Sequence, residues 1–321
     1  LSEEIQEAGG TVQYIERARF EYHPGFVGTP YAIQISPLGY SALKQAHFNL
    51  PMGMLVRFNP PRLAEGHTAT VEVAASPGVS LTGQYEGRTL HFTLDEARGV
   101  AWAMLGAVPF QDVGPRQVTL YLENGDGGSR VVTRTLEITP YNFPSEVLSF
   151  DPETAALLDP AYTGPETETL ERIFAGRTPE QYWDGPFIMP LAGNIRITSQ
   201  FATRRCYNCA VGSKPTSYHG GLDMAAVEGT PVRAPAAGKV VFAGKLQVRG
   251  NVVIIDHGLG VYTLLAHNSR LLVQEGQMVR QGDRVSLSGN TGLSNGPHLH
   301  WEVHASGPPV EPLEWVKRAM P

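Results

Sequence analysis

Two short stretches constrain this chain more than any others: Tyr218-His219-Gly220-Gly221-Leu222-Asp223 and Gly296-Pro297-His298-Leu299-His300-Trp301-Glu302-Val303. Each sets groups able to bind a metal ion beside residues that dictate backbone shape. His219 and Asp223 are four apart, a spacing that shares one face of a helical turn or of an extended segment. The paired glycines argue against a helix and permit a close, irregular approach of backbone to a bound ion. In the second stretch the alternation reads as a strand, in which His298 and His300 point to the same face.

Two imidazoles and one carboxylate from these four positions make the donor set of a catalytic zinc with an open fourth position. One histidine is then left over. Hydrolysis at such a metal also needs groups that move protons and stabilise an oxyanion. The left-over histidine and His267, in Tyr262-Thr263-Leu264-Leu265-Ala266-His267, are the candidates.

Further segments join these in order: Ser199-Gln200-Phe201 with Arg204-Arg205, Ala266-His267, and Gly289-Asn290-Thr291-Gly292 running into Gly296. Together they make the chain resemble the lysostaphin-type, or LytM-like, zinc endopeptidases that cut peptide bonds in bacterial peptidoglycan. The resemblance covers roughly the last third of the chain. It implies Zn2+ held by His219, Asp223 and His300, with His267 and His298 as the catalytic histidines. It also implies a duplicated hybrid motif fold, peptidoglycan stem or cross-bridge peptides as substrate, and a bacterial envelope location, periplasmic or extracellular. Leu265, where the family usually has an aromatic, and Asn268, where it usually has an apolar residue, depart from the pattern without touching a ligand.

A length of 321 residues suggests about two domains, and 35 Gly with 25 Pro favour strands and turns over helical bundles. The expected architecture is mainly β: an immunoglobulin-like sandwich over 1–140, a helical linker over 141–184, and an antiparallel β catalytic domain over 185–321. Strands are expected at Thr11–Ile15, Gly53–Phe58, Ala69–Val73 and Val118–Leu122, with a hairpin turn at Asn124–Gly128. Asp151-Pro152-Glu153 and Gly164-Pro165-Glu166 open helical stretches, the second ending near Gly176, and Thr178-Pro179-Glu180 starts a short turn. Glu228-Gly229 before Val232-Arg233 recurs as Glu275-Gly276 before Val279-Arg280, an echo expected of a duplicated turn-and-strand unit.

A net charge of -6 with no basic cluster argues against nucleic acid as a partner. No apolar run is long enough to span a membrane. The start is not a signal peptide and lacks an initiator Met, which reads as a processed, exported protein. Cys206 and Cys209 are expected to form a local disulfide near the groove wall.

The remaining histidines and acids receive structural readings. Glu302 lies two after His300, on the same strand face, where it supports a ligand from behind; a cupin-like site would place its carboxylate ligand further on. His304 is read as structural or solvent-facing, His257 as part of a polar turn, and His23, His47, His67 and His91 as scattered. Two rivals to the peptidase remain: a non-hydrolytic LytM-like wall-binding regulator of an amidase, and an enzyme held latent by its first domain. Oligomeric state is not legible.

Overall fold

A computed structural model of the chain describes residues 56–74, 79–95, 99–123, 128–210 and 212–320, and the backbone alone of strands within 5–37. Residues 124–127 of the expected turn, the start of the expected strand at Gly53–Phe58, and His23 and His47 lie outside those residues. The protein is mainly β. It divides into two compact units whose segments interleave: Leu1–Phe58, Val71–Ala103 and Val118–Arg134 in one, and Asn59–Thr70, Met104–Gln117 and Thr135–Pro321 in the other.

The first unit contains an antiparallel meander of Ile5–Glu7, Gly10–Ile15, Ala18–Tyr22 and Ile33–Pro37. Beyond it, Ser80–Tyr85 forms a hairpin with Arg88–His91. Glu86 and Gly87 both take positive φ there (48° and 73°), the two-residue geometry that matches strand twist. Ser80–Tyr85 also pairs antiparallel with Gly114–Glu123, in which Val118, Leu120 and Leu122 alternate inward and are buried.

The second unit holds the two sequence stretches. Its largest sheet orders Ile197–Ser199, Leu222–Ala225, His298–Ala305, Val261–Asn268, Gly250–Gly258, Gly238–Leu246 and Met278–Val279, with Pro309–Val310 added against His298–Ala305. Every pairing in it is antiparallel. The apolar runs Val252–Ile255 and Val261–Ala266 are buried, because both faces of the sheet are covered. One cover is the helix Pro160–Phe174, whose Leu170 and Phe174 pack on Val252, Ile254, Tyr262 and Leu264. Each of those two side chains contributes about 2 kcal/mol by its burial. Ser145–Leu148 runs parallel to Arg204–Tyr207, which pairs antiparallel with Ser217–Tyr218.

Asp151 caps the short helix Pro152–Ala155, accepting from the amides of Glu153 and Thr154, as its sequence position predicts. The next helix begins earlier than expected, at Pro160, with Asp159 as N-cap. Asp159-Pro160 is itself a cap followed by an N1 proline, so the start falls there and Pro165 lies inside. Proline at that position removes one helical hydrogen bond and crowds the carbonyl four residues earlier, a cost on the order of 3 kcal/mol that the packed face offsets. Thr178–Glu180 forms no helical turn; the Thr178 hydroxyl donates to Asp256 instead. The echoed Gly229 and Gly276 take φ of 85° and 87°, each just ahead of a short strand, Pro231–Arg233 and Met278–Val279.

Candidate active site

The register of one strand pair assembles the centre. Asp223 lies directly opposite His300, and Ala225 opposite His298, between Leu222–Ala225 and His298–Ala305. Directly opposed residues of an antiparallel pair bring their Cβ atoms within about 5 Å. Close approach requires Gly221: a Cβ there would sit 2.3 Å from the Trp301 carbonyl oxygen. His219 is tied to the preceding turn, its N–H donating to the Thr203 carbonyl and its own carbonyl accepting from Ala202.

Three atoms converge. His219 Nε2 is 3.0 Å from Asp223 Oδ1 and 2.9 Å from His300 Nδ1, and the latter is 2.8 Å from the same Oδ1. The far side of each ring fixes its tautomer. His219 Nδ1–H donates to the Gln200 carbonyl at 2.8 Å, which leaves a lone pair on Nε2. His300 Nε2–H donates to Glu302 Oε1 at 2.9 Å, which leaves one on Nδ1. Two lone pairs and a carboxylate oxygen therefore face one another with no N–H between them, an arrangement that calls for a cation. Two nitrogens and one oxygen at these separations suit zinc, with a fourth position open.

Two further histidines flank this cluster. Two residues, Ala266 and His267, oppose the single Val252 at a bulge in the strand pairing, and His267 takes a left-handed φ of 61°. For a non-glycine residue that conformation costs on the order of 1 kcal/mol. It is held by the His267 N–H donating to the Arg249 carbonyl and Nδ1–H donating to the Thr291 carbonyl at 2.7 Å. His298 Nδ1–H donates to the Gly296 carbonyl at 2.8 Å, and its Nε2 is 3.6 Å from Asp223 Oδ1. The His267 and His298 rings are 4.7 Å apart. Each presents an unprotonated Nε2 to the site.

Burial and charge set the protonation of the group. Burial, then the neighbouring His298 and His300, pushes His267 down to about 3. Burial likewise lowers His298 and His219. For Asp223 burial opposes ionisation, but a proton carried by the His219 or His300 ring outweighs it and holds the carboxyl well below the usual range. Its second oxygen accepts from Arg205 Nη2 at 3.0 Å, and Arg205 Nε donates to Glu146 at 2.7 Å. Glu302 is likewise held well below its ordinary value against the cost of burial, chiefly by Arg249.

These residues open onto a cleft of about 580 Å3, walled in part by Tyr207, Tyr218, Phe150 and Asn295. Cys206 and Cys209 are disulfide-bonded beside Tyr207. Glu302 stands behind His300, its Oε1 against Nε2 rather than the converging Nδ1, so it does not join the donor cluster. His304 is not solvent-facing: it is buried, bonded to Glu302 at 2.7 Å and stacked on Phe174. His257 is not in a polar turn but ends a buried strand, its Nδ1 donating to Ala237 and its Nε2 accepting from Thr263. Arg205, Glu146, Arg249 and Glu166, all in or behind the cleft, carry no local sequence signal; Arg205 falls inside a recognised segment but with no role attached.

Residues 217–312 match the model of peptidase family M23. The chain is 40% identical over 125 residues to the peptidoglycan DD-endopeptidase ShyA of Vibrio cholerae, 39% of this chain and 28% of that protein. It is 48% identical over 95 residues to the DD-carboxypeptidase/endopeptidase Mpg of Neisseria meningitidis, 30% and 22%. It is also 39% identical over 98 residues to the murein hydrolase activator EnvC of Escherichia coli, 30% and 23%. The chain thus spans about a quarter of the length of the curated relatives it matches. A crystal structure assigned to the M23 peptidases of Pseudomonas aeruginosa superposes with a TM-score of 0.58 at 25% identity, over 80% of this chain and 95% of that one. The segment that carries all five clustered side chains is a peptidase family M23 domain.

Proposed function

We propose that the protein is a zinc-dependent endopeptidase that hydrolyses peptide bonds in the stem or cross-bridge peptides of bacterial peptidoglycan. The observation that carries this reading is the meeting of His219 Nε2, His300 Nδ1 and Asp223 Oδ1 as acceptors alone, beside two histidines whose Nε2 atoms face the same cleft. Zinc bound there supplies Lewis-acid polarisation of the scissile carbonyl and acidifies a water.

His267 and His298 divide the remaining work. One takes a proton from the attacking water onto Nε2 and, as the imidazolium so formed, delivers it to the leaving amine; the other donates to the oxyanion of the tetrahedral species only after taking up a proton from solvent on its own Nε2. Their Nδ1 hydrogens are committed to backbone carbonyls, so both act through Nε2. Arg205 keeps Asp223 ionised and oriented. The reading assigns catalysis to 185–321, a helical linker to 141–184, an immunoglobulin-like β domain to 1–140, and an envelope location to the whole.

Similarity to EnvC favours a second reading, a wall-binding regulator that activates an amidase without cutting. The complete donor cluster favours hydrolysis. Release of new amino groups from purified peptidoglycan separates the two: wild type should release them, and His298→Ala should not while still holding zinc. Zinc-loaded wild type that releases none would leave the regulator.

A further inference from the structure

Glu166 is a buried carboxylate on the helix Pro160–Phe174, outside residues 217–312 that match the family. Its oxygens accept from the backbone amides of Val248 and Arg249 at 2.8 and 3.2 Å and from Arg249 Nη1 at 3.0 Å. The other edge of the same guanidinium, through Nε and Nη2, donates to Glu302 Oε1 at 3.1 and 2.9 Å. That oxygen also accepts from His300 Nε2. The backbone carries two more links: the Arg249 carbonyl accepts from the His267 N–H, and the Val248 carbonyl from the Leu293 N–H in the loop leading to His298.

We infer that Glu166 is a positioning residue for both halves of the site. Through Arg249 and Glu302 it orients His300; through the pinned Val248–Arg249 backbone it sets His267 and the loop before His298. This rests on the reading of His219, Asp223 and His300 as zinc ligands. By sharing the Arg249 charge, Glu166 leaves Glu302 free to accept from His300 and raise the basicity of Nδ1, the usual action of a carboxylate behind a histidine ligand. The helix packed on the sheet is therefore part of the working centre and not a spacer.

The test uses the full-length chain, with zinc affinity read by competition against a chromophoric chelator and kcat and KM read on a peptidoglycan peptide. Glu302→Gln should weaken zinc by about 10- to 100-fold, as expected for a direct partner of a ligand. Glu166→Gln should weaken it several-fold and lower kcat more than it changes KM. The double variant should bind zinc no more weakly than Glu302→Gln alone, because Glu166 reaches His300 only through Glu302. Wild-type zinc affinity and kcat in Glu166→Gln, or zinc effects that multiply in the double variant, would overturn the inference alone. A wild type that binds no zinc would overturn the ligand reading beneath it. If circular dichroism shows Glu166→Gln unfolded, Arg249→Lys decides: it keeps the charge but loses the fork that joins both carboxylates, so wild-type zinc affinity there also overturns the inference.

Discussion

His257 and His300 are both buried on neighbouring parts of one sheet, yet they sit in opposite chemical situations. At His257 each ring nitrogen meets a partner of the complementary kind, the Ala237 carbonyl for the N–H and the Thr263 hydroxyl for the lone pair. At His300 one nitrogen is satisfied by Glu302 while the other faces a second imidazole lone pair and a carboxylate. Burial is common to both, so it does not mark a working site. Acceptors that converge without a donor do, since a native fold does not leave such groups uncompensated.

The largest expected effect attacks the converging acceptors. His300→Ala should weaken zinc binding by more than about 100-fold, beyond what losing an outer partner costs, and reduce hydrolysis to background. His298→Ala should keep zinc and lose about 10^2- to 10^4-fold in kcat. Equal zinc loss in the two variants would erase the distinction between holding the ion and moving the proton.

The next largest concerns the satisfied histidine. Burial pushes His257 down to about 4, so below the ordinary value of about 6.5 the unfolded chain takes up a proton that the fold refuses. Stability is full above that value and falls as pH drops towards 4, by roughly 3 kcal/mol from this residue. Denaturant melts of the zinc-free protein between pH 7 and 4 should show the slope, and His257→Asn should flatten it. His267, lowered further still, keeps part of it in the variant.

At the backbone, Gly221→Ala should cost about 1 to 3 kcal/mol, because a methyl group would overlap the Trp301 carbonyl on which the register opposite His300 depends. Thermal melts with and without zinc would show whether the loss also reaches the ion. The smallest effect belongs to the disulfide. Joining residues three apart removes little chain entropy, so reducing Cys206–Cys209 should cost about 2 kcal/mol or less and leave zinc affinity unchanged.

Much of this centre was legible because its parts are local. Two glycines beside His219 and the alternation at His298–Val303 signal an irregular approach and a strand, and the fold brings those two segments into register. Asp151 and Pro152 announce a helix start in adjacent letters. The rest was hidden for physical reasons. His267 owes its aim to a bulge and a left-handed φ, which a run ending Leu265-Ala266-His267 gives no cause to expect. Arg249 meets Glu302 across 53 residues and Glu166 across 83, so no window of sequence contains the network. Asp159 is hard to read as a cap because the glycine and proline at 164 and 165 make a louder local signal than the packing that overrides them.

His219, Asp223 and His300 form a cation site because their acceptors converge, whereas His257 is merely buried. Zinc titration by calorimetry on metal-stripped protein tests it most directly, with wild type, His300→Ala and His257→Asn side by side. Wild type and His257→Asn should each bind one zinc per chain, and His300→Ala should show none of that affinity. Undiminished binding by His300→Ala, or no binding by the folded wild type, would contradict it.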